Sequence, residues 1–298
     1  MSARLHFPAG TAGDGPDQVA ISPALAGWTY AGLRVIELAP GAARTLRTDG
    51  FEAAVLPLAG SCVVECEGRR FPLAGRDHVF ARVTDFAYLP VGAEARVSSA
   101  GGGRFALATA VASRRLDPVY GPAEEVPVEL RGSGQASRQL NNFLAPGAFP
   151  ADKLVAVEVL TPDGNWSSYP PHKHDQRRDG EAVLEEIYYF EIGGHRRSPG
   201  FGFHGVYTAD GEIDLTVTVR DRDVVLIPRG YHGPSVAAPG YPMYYLNVLA
   251  GPAEERSMAF SDDPAHAWVR SSWAGQPMDR RLPLCTAEGT SRDAIAMT

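Results

Sequence analysis

Two stretches of this sequence align without a gap. Asp85-Phe-Ala-Tyr-Leu-Pro90-Val-Gly92-Ala-Glu94 falls on Asp223-Val-Val-Leu-Ile-Pro228-Arg-Gly230-Tyr-His232. Each copy reads aspartate, four mostly apolar residues, proline, any residue, glycine, any residue and a polar group. Proline closes a strand and glycine turns the chain after it, and both copies sit late in a series of strands, so the pattern predicts two copies of one β-fold. The 298-residue length fits two domains. The 32 glycines and 24 prolines favour many short strands joined by turns over a helix bundle.

The strands read as short apolar or alternating runs. In the first half they are 35–38, 52–58, 62–66 and 104–112; in the second they are KLVAVEVLT (153–161), EEIYYFEI (185–192), GFHGVYT (202–208), EIDLTVTVR (212–220), DVVLIP (223–228) and YPMYYLNVLAG (241–251). A polar, proline-rich connection near 120–150 divides 1–125 from 126–298. Residues 262–273 open with Asp-Asp-Pro and predict one short helix, and the polar tail 286–298 is expected to fray. The net charge of −7, without a run of five Lys or Arg, speaks against nucleic acid as a partner. The absence of an 18-residue apolar stretch speaks against a membrane span. Three cysteines without a CxxC pair, and no cationic-then-apolar leader, point to the cytoplasm. Apolar strand edges leave homo-oligomerisation open.

Histidines carry the chemistry. Six of eight lie beyond residue 150: His172, His174, His195, His204, His232 and His266. On an extended strand, positions i and i+2 share a face, so His172 and His174 can reach one point. Twelve residues after His174 stands Glu186, sharing its strand face with Leu184, Tyr188, Phe190 and Ile192. A lone carboxylate on so apolar a face is costly unless it is paired or binds a metal. With His232 after the Pro228-Arg-Gly230 turn, three imidazoles and one carboxylate make a candidate divalent-metal site. Zn or Mn is expected, one ion per chain. The first half has only His6 and His78; Glu94 stands where His232 does, and Ser61 where Glu186 does. That half is expected to be structural, without a metal.

The HxH pair with Glu186, and the Pro228-Arg-Gly-Tyr-His232 segment, resemble the two cupin motifs. The chain departs from them in a longer gap between His174 and Glu186, filled by QRRDGEAVLE, and in Arg222 where a glycine is common. Over nearly the whole chain, the segments WTYAGLRVIEL (28–38), RGSGQASRQLNNFL (131–144), SSYPPHKHD (167–175), LEEIYYFEI (184–192), 223–252 and DDPAHAWVR (262–270) resemble the bacterial 5-deoxy-glucuronate isomerase family of myo-inositol catabolism. The related 5-keto-4-deoxyuronate isomerases share its fold and metal set. The resemblance implies an all-β bicupin with its metal site in the C-terminal barrel. It also implies an aldose–ketose isomerase interconverting 5-deoxy-glucuronate and 2-deoxy-5-keto-gluconate. His204-Gly205 stand where that family is expected to carry Gln-Arg, so another group must bind the substrate carboxylate.

Such a reaction needs a proton moved alpha to a carbonyl and an ene-diolate stabilised, to which a metal lends Lewis acidity. Tyr188, by strand parity, and Lys153, Glu158 and Tyr245, by neighbourhood, are candidates for the proton-moving group. Arg138 and Arg229 are candidates for the carboxylate fork. Competing readings are a metal-dependent cupin dioxygenase, which needs a dry apolar pocket, and a non-catalytic sugar-acid-binding cupin, which usually carries a DNA-binding segment.

Overall fold

The computed structural model describes residues 4–194 and 198–290. The chain is all-β. A nine-stranded sheet, with Ala31–Leu38, Phe51–Cys66 and Gly103–Val111 at its centre, curls around the first apolar interior (Ile36, Val55, Val64, Leu89, Val97, Phe105). In the second half a seven-stranded sheet built on Val155–Thr161, Glu185–Ile192 and Met243–Ala250 faces a six-stranded sheet. Tyr188, Phe190, Ile192 and Tyr245 of the former meet Val206, Val219 and Ala237 of the latter.

The runs 52–58 and 62–66 form one strand, Phe51–Cys66. Its register shifts around Pro57–Ala59 and Gly60–Cys62. Gly60, at φ +87°, makes the bend: a Cβ there would lie 2.5 Å from the Gly102 carbonyl oxygen. Among the described residues helix is confined to short turns, and the one expected in 262–273 is the single turn Val269–Ser272.

The largest core lies between the two halves. Leu33, Val35, Ala54, Leu56, Ala106 and Ala108 pack against Ala156, Ile187, Tyr189, Leu246 and Val248. Strands Glu185–Ile192 and Met243–Ala250 therefore have both faces buried, which is why they read as near-continuous apolar runs. Each buried Val, Leu or Ile side chain there contributes roughly 1.5–3 kcal/mol. Buried carboxylates stitch the same interface. Glu158 meets Arg76, Glu191 takes Arg104 at 2.6 Å, and Glu52 accepts the backbone N–H groups of Asp152, Lys153 and Leu154 at 2.5–2.8 Å.

The repeat has a structural explanation. Asp85 accepts the N–H groups of Ala74 (2.7 Å) and Gly75 (3.0 Å), and Asp223 those of Ala9 (2.8 Å) and Arg220 (3.0 Å). Each aspartate thus ties incoming backbone to the start of its strand, and Gly92 (φ +71°) and Gly230 (φ +87°) turn the chain after it. Each strand also gains a short partner. Val119–Gly121 pairs with Phe86–Tyr88, and His6–Phe7 pairs with Val224–Val225. Tyr120 then reaches Asp85 at 3.0 Å, and His6 reaches Asp223 at 2.9 Å.

The expected division at residue 125 is therefore crossed twice. His6–Phe7 belongs to the second half's sheet, and the hairpin Cys285–Thr286/Gly289–Thr290 reaches back, Thr286 accepting the Val83 N–H at 2.9 Å. The rest of the tail expected to fray, from residue 291, lies outside the described residues, as does His195. All three cysteines are buried and unpaired. No helix among the described residues is long and apolar enough to cross a membrane.

Candidate metal centre

Strand parity puts Glu186, Tyr188 and Phe190 on the inner face of the second barrel, and Ile187 and Tyr189 on the opposite face. Ligand atoms of His174, Glu186 and His232 lie within 4.8 Å of one another, and all three residues are buried. Two imidazoles converge on one carboxylate oxygen: His174 Nε2 is 2.9 Å and His232 Nε2 3.0 Å from Glu186 Oε2. His232 Nε2 faces that oxygen without a directed hydrogen bond and has no other hydrogen-bond partner among the described residues. Donors that share an ion at bond lengths of about 2.0–2.2 Å stand roughly 3 Å apart, and a buried imidazole nitrogen that faces a carboxylate without a directed hydrogen bond is placed as a ligand would be. The donor set fits a divalent ion.

The supporting contacts fix the rings. His174 Nδ1 lies 3.0 Å from the Leu184 carbonyl, the outer hydrogen bond that orients a ligating imidazole. Burial would raise the Glu186 carboxyl, but the His232 and His174 imidazoles outweigh it and hold the group ionised, well below the usual carboxylate range. Burial alone would lower the His174 imidazole, and Glu186 reverses the direction. The fourth expected ligand, His172, is outside the tight group. It pairs in register with His232, its ring centroid 4.5 Å away, and packs against Phe260. Its Nδ1 lies 3.1 Å from the Pro170 carbonyl, and burial pushes its pKa well below the ordinary histidine value, keeping the ring neutral. The inserted segment between His174 and Glu186 is an ordered hairpin, Asp175–Arg178 with Glu181–Val183. Buried Glu181 pins it by accepting Lys173 (2.7 Å), Arg178 (2.8 Å) and the N–H groups of Asp175 (3.1 Å) and Gln176 (3.0 Å).

A cleft lined by His172, His174 and Glu186 opens beside the donor group. Tyr188 and Tyr245 both line it, with their hydroxyls 2.8 and 3.3 Å from Ser168 Oγ. Burial holds both phenols above their ordinary values, so they stay protonated. Arg138 also lines the cleft. Its guanidinium is buried, donates to the Ala136 (2.9 Å) and Tyr169 (3.3 Å) carbonyls, stacks on Trp273 and meets no carboxylate among the described residues. Burial pulls its pKa down to about 10, still a cation at neutral pH.

Three candidates are corrected. Lys153 Nζ is bound to the Ala253 (2.8 Å) and Glu254 (2.9 Å) carbonyls away from the cleft, because its segment is anchored on Glu52. Glu158 alternates with Val157 and Val159, which line the cleft, so its carboxylate faces the other way, toward Arg76 and Tyr244. Arg229 is on the outer surface, paired with Asp210 and Glu212. Sequence reasoning also missed members of the cleft. Asn247, whose buried Nδ2 makes no hydrogen bond among the described residues, shares the face of Tyr245 and was readable by parity. Ser168 and Arg131 carry no such signal. His204 is fully buried below the site, its Nδ1 2.8 Å from Ser235 Oγ and its ring 4.6 Å from that of Tyr188; burial lowers its pKa to about 3.

Comparison with known proteins agrees with this architecture. The chain is 40% identical over 275 residues to the 5-deoxy-glucuronate isomerase of Geobacillus kaustophilus, covering 91% of this chain and 96% of that one. It is 38% identical over 244 residues to the enzyme of the same name from Bacillus subtilis strain 168, covering 81% and 88%. Among solved structures, an IolB-like protein from Salmonella typhimurium LT2 matches with a TM-score of 0.81 at 35% identity, over 90% of this chain and 99% of that chain. Oxalate decarboxylase from Lactobacillus farciminis matches at TM-score 0.62 and 15% identity, over 86% of this chain and 88% of that one, a likeness of the cupin fold alone. The sequence profile of the KduI/IolB family matches residues 6–269, and the chain belongs to that family.

Proposed function

We propose that the chain is a metal-dependent aldose–ketose isomerase that converts 5-deoxy-glucuronate to 2-deoxy-5-keto-gluconate. One observation carries the reading. In this KduI/IolB family member, the cleft lined by His174 and Glu186 of the three-donor group also holds a buried guanidinium that meets no carboxylate among the described residues. A sugar acid offers the matching groups, a carboxylate for the guanidinium and a carbonyl with a neighbouring hydroxyl for a cation. The relatives' names supply the particular substrate.

His174, Glu186 and His232 would hold one divalent ion, Zn or Mn, with His172 as the fourth ligand. Such an ion supplies Lewis acidity toward the substrate's carbonyl and adjacent hydroxyl. With neutral imidazoles the ligand set carries a single negative charge, so the loaded site stays net positive and favours an ene-diolate. Arg138 binds the substrate carboxylate and fixes which carbons face the donors. Tyr188 and Tyr245 present protonated hydroxyls to the substrate oxygens. Cytoplasmic location and assembly into a homo-oligomer belong to the same reading.

The dioxygenase alternative wants a dry apolar pocket. Leu140, Val157, Met258 and Phe260 supply an apolar wall, but Arg131, Arg138, Ser168 and Asn247 make the rest polar and cationic, which favours the sugar acid. The test is conversion of 5-deoxy-glucuronate by the metal-loaded protein, followed by NMR, with oxygen uptake recorded in parallel. Product without oxygen consumption is expected. Oxygen consumption, or binding without turnover, overturns the assignment.

A further inference from the structure

We propose that Ser168 is a positioning residue whose hydroxyl joins Tyr188 and Tyr245 into a three-hydroxyl relay that shuttles a proton between two substrate oxygens. The inference rests on the isomerase reading above. Ser168 Oγ is 2.8 Å from the Tyr188 hydroxyl and 3.3 Å from that of Tyr245, and all three line the cleft beside Glu186. Neither tyrosine needs the serine to be buried, since both rings pack in the barrel interior without it.

The backbone gives an independent reason. Ser168 has φ +45°, a left-handed conformation that a serine adopts at a cost and a glycine adopts freely. Its carbonyl oxygen sits where a Cβ on Gly233 would approach to 1.9 Å, so the facing strand gives up a side chain to admit it. A strained residue held by its surroundings, with its side chain turned into a cleft, points to a functional constraint.

Isomerisation through an ene-diol moves one hydrogen between carbons and one between oxygens, and the relay serves the second transfer. The first substrate hydroxyl gives its proton to the Tyr188 oxygen as Tyr188 passes its own to Ser168. Ser168 passes its proton to Tyr245, and Tyr245 protonates the other substrate oxygen. Each hydroxyl gains and loses one proton, no net charge develops, and rotation of the three O–H bonds restores the starting state.

The test compares metal-loaded wild type with Ser168→Gly and Ser168→Ala, after wild-type turnover of 5-deoxy-glucuronate has been established. Glycine relieves the backbone and deletes the hydroxyl. Ser168→Gly is expected to melt at or above the wild-type temperature, to keep its metal and to hold KM within threefold. Its kcat should fall about 100-fold, the scale of one lost proton-transfer aid. The dependence of kcat on deuterium fraction, curved in wild type from several protons in flight, should become linear. A Ser168→Gly variant that keeps kcat within threefold overturns the relay. So does one that loses stability and metal together with activity, which marks a structural role. Absence of turnover in wild type overturns the isomerase reading instead.

Discussion

Glu158→Gln separates what the geometry says from what chain neighbourhood suggests. Glu158 is 1% exposed and accepts from Arg76, from Asn141 Nδ2 at 3.0 Å and from the Tyr244 hydroxyl at 2.8 Å. The Arg76 guanidinium, equally buried, also donates to the Pro57 (3.0 Å), Val79 (3.3 Å) and Arg82 (3.2 Å) carbonyls. Burial alone would lower the Arg76 pKa, but Glu158 reverses this, so Arg76 stays charged. Glutamine keeps the shape and removes the charge, leaving a cation in the core between the two halves without its counter-ion. Breaking a buried pair from one side costs about 3–5 kcal/mol. At roughly 2 °C per kcal/mol for a chain of this size, the melting temperature should fall by about 6–10 °C. The assay is thermal unfolding by circular dichroism at pH 7, with kcat measured on the same metal-loaded sample well below the transition. The kcat should stay within threefold, because the carboxylate faces away from the cleft. A fall under 2 °C would refute the electrostatic argument. A 100-fold loss of kcat at unchanged stability would make Glu158 the base and refute its assigned orientation.

Arg138→Ala removes the cleft's buried cation and should raise KM about 10- to 150-fold, the ~1.5–3 kcal/mol of a hydrogen bond to a charged group, with metal content unchanged; an unaltered KM argues for a different carboxylate anchor. Glu94→Ala should leave turnover as it is, since Glu94 is exposed and paired with Arg47 on the first half's surface; a tenfold fall in kcat would give that half a catalytic part. Stability should carry an acid limb from Glu181. Burial would raise this carboxyl, but bonds from Lys173, Ser261, the Asp175 backbone and Arg178 hold it at about 2. Its folded pKa lies below the unfolded value of about 4.3, so its contribution is complete above that value and drains away as pH falls toward 2. The difference in urea midpoint between wild type and Glu181→Gln should therefore shrink from pH 6 to pH 3, and a constant difference would contradict the ion-pair account.

What was legible in the sequence followed from strand periodicity. A period of two put Glu186 and Tyr188 on one inner face, and the same count from Tyr245 reaches Asn247. Neighbourhood without direction failed. Lys153 precedes the strand that lines the cleft and Glu158 lies within it, yet one is drawn off by backbone carbonyls and the other has the wrong parity. Arg229 follows a strand-ending proline and turns outward to surface acids. Ser168 depends on a left-handed residue and on the empty side of Gly233, a tertiary coincidence that no local pattern encodes. The aspartates of the repeat were visible, but their shared task is not. Each clamps backbone beside a short added strand, and for Asp223 that strand comes from the opposite end of the chain.

The most direct measurement is elemental analysis of the purified protein and its His174→Ala variant, each paired with circular dichroism. One Zn or Mn per wild-type chain is expected, with a variant that is folded, depleted of metal and without turnover. A folded His174→Ala protein that keeps one ion per chain would contradict the centre built on His174, Glu186 and His232.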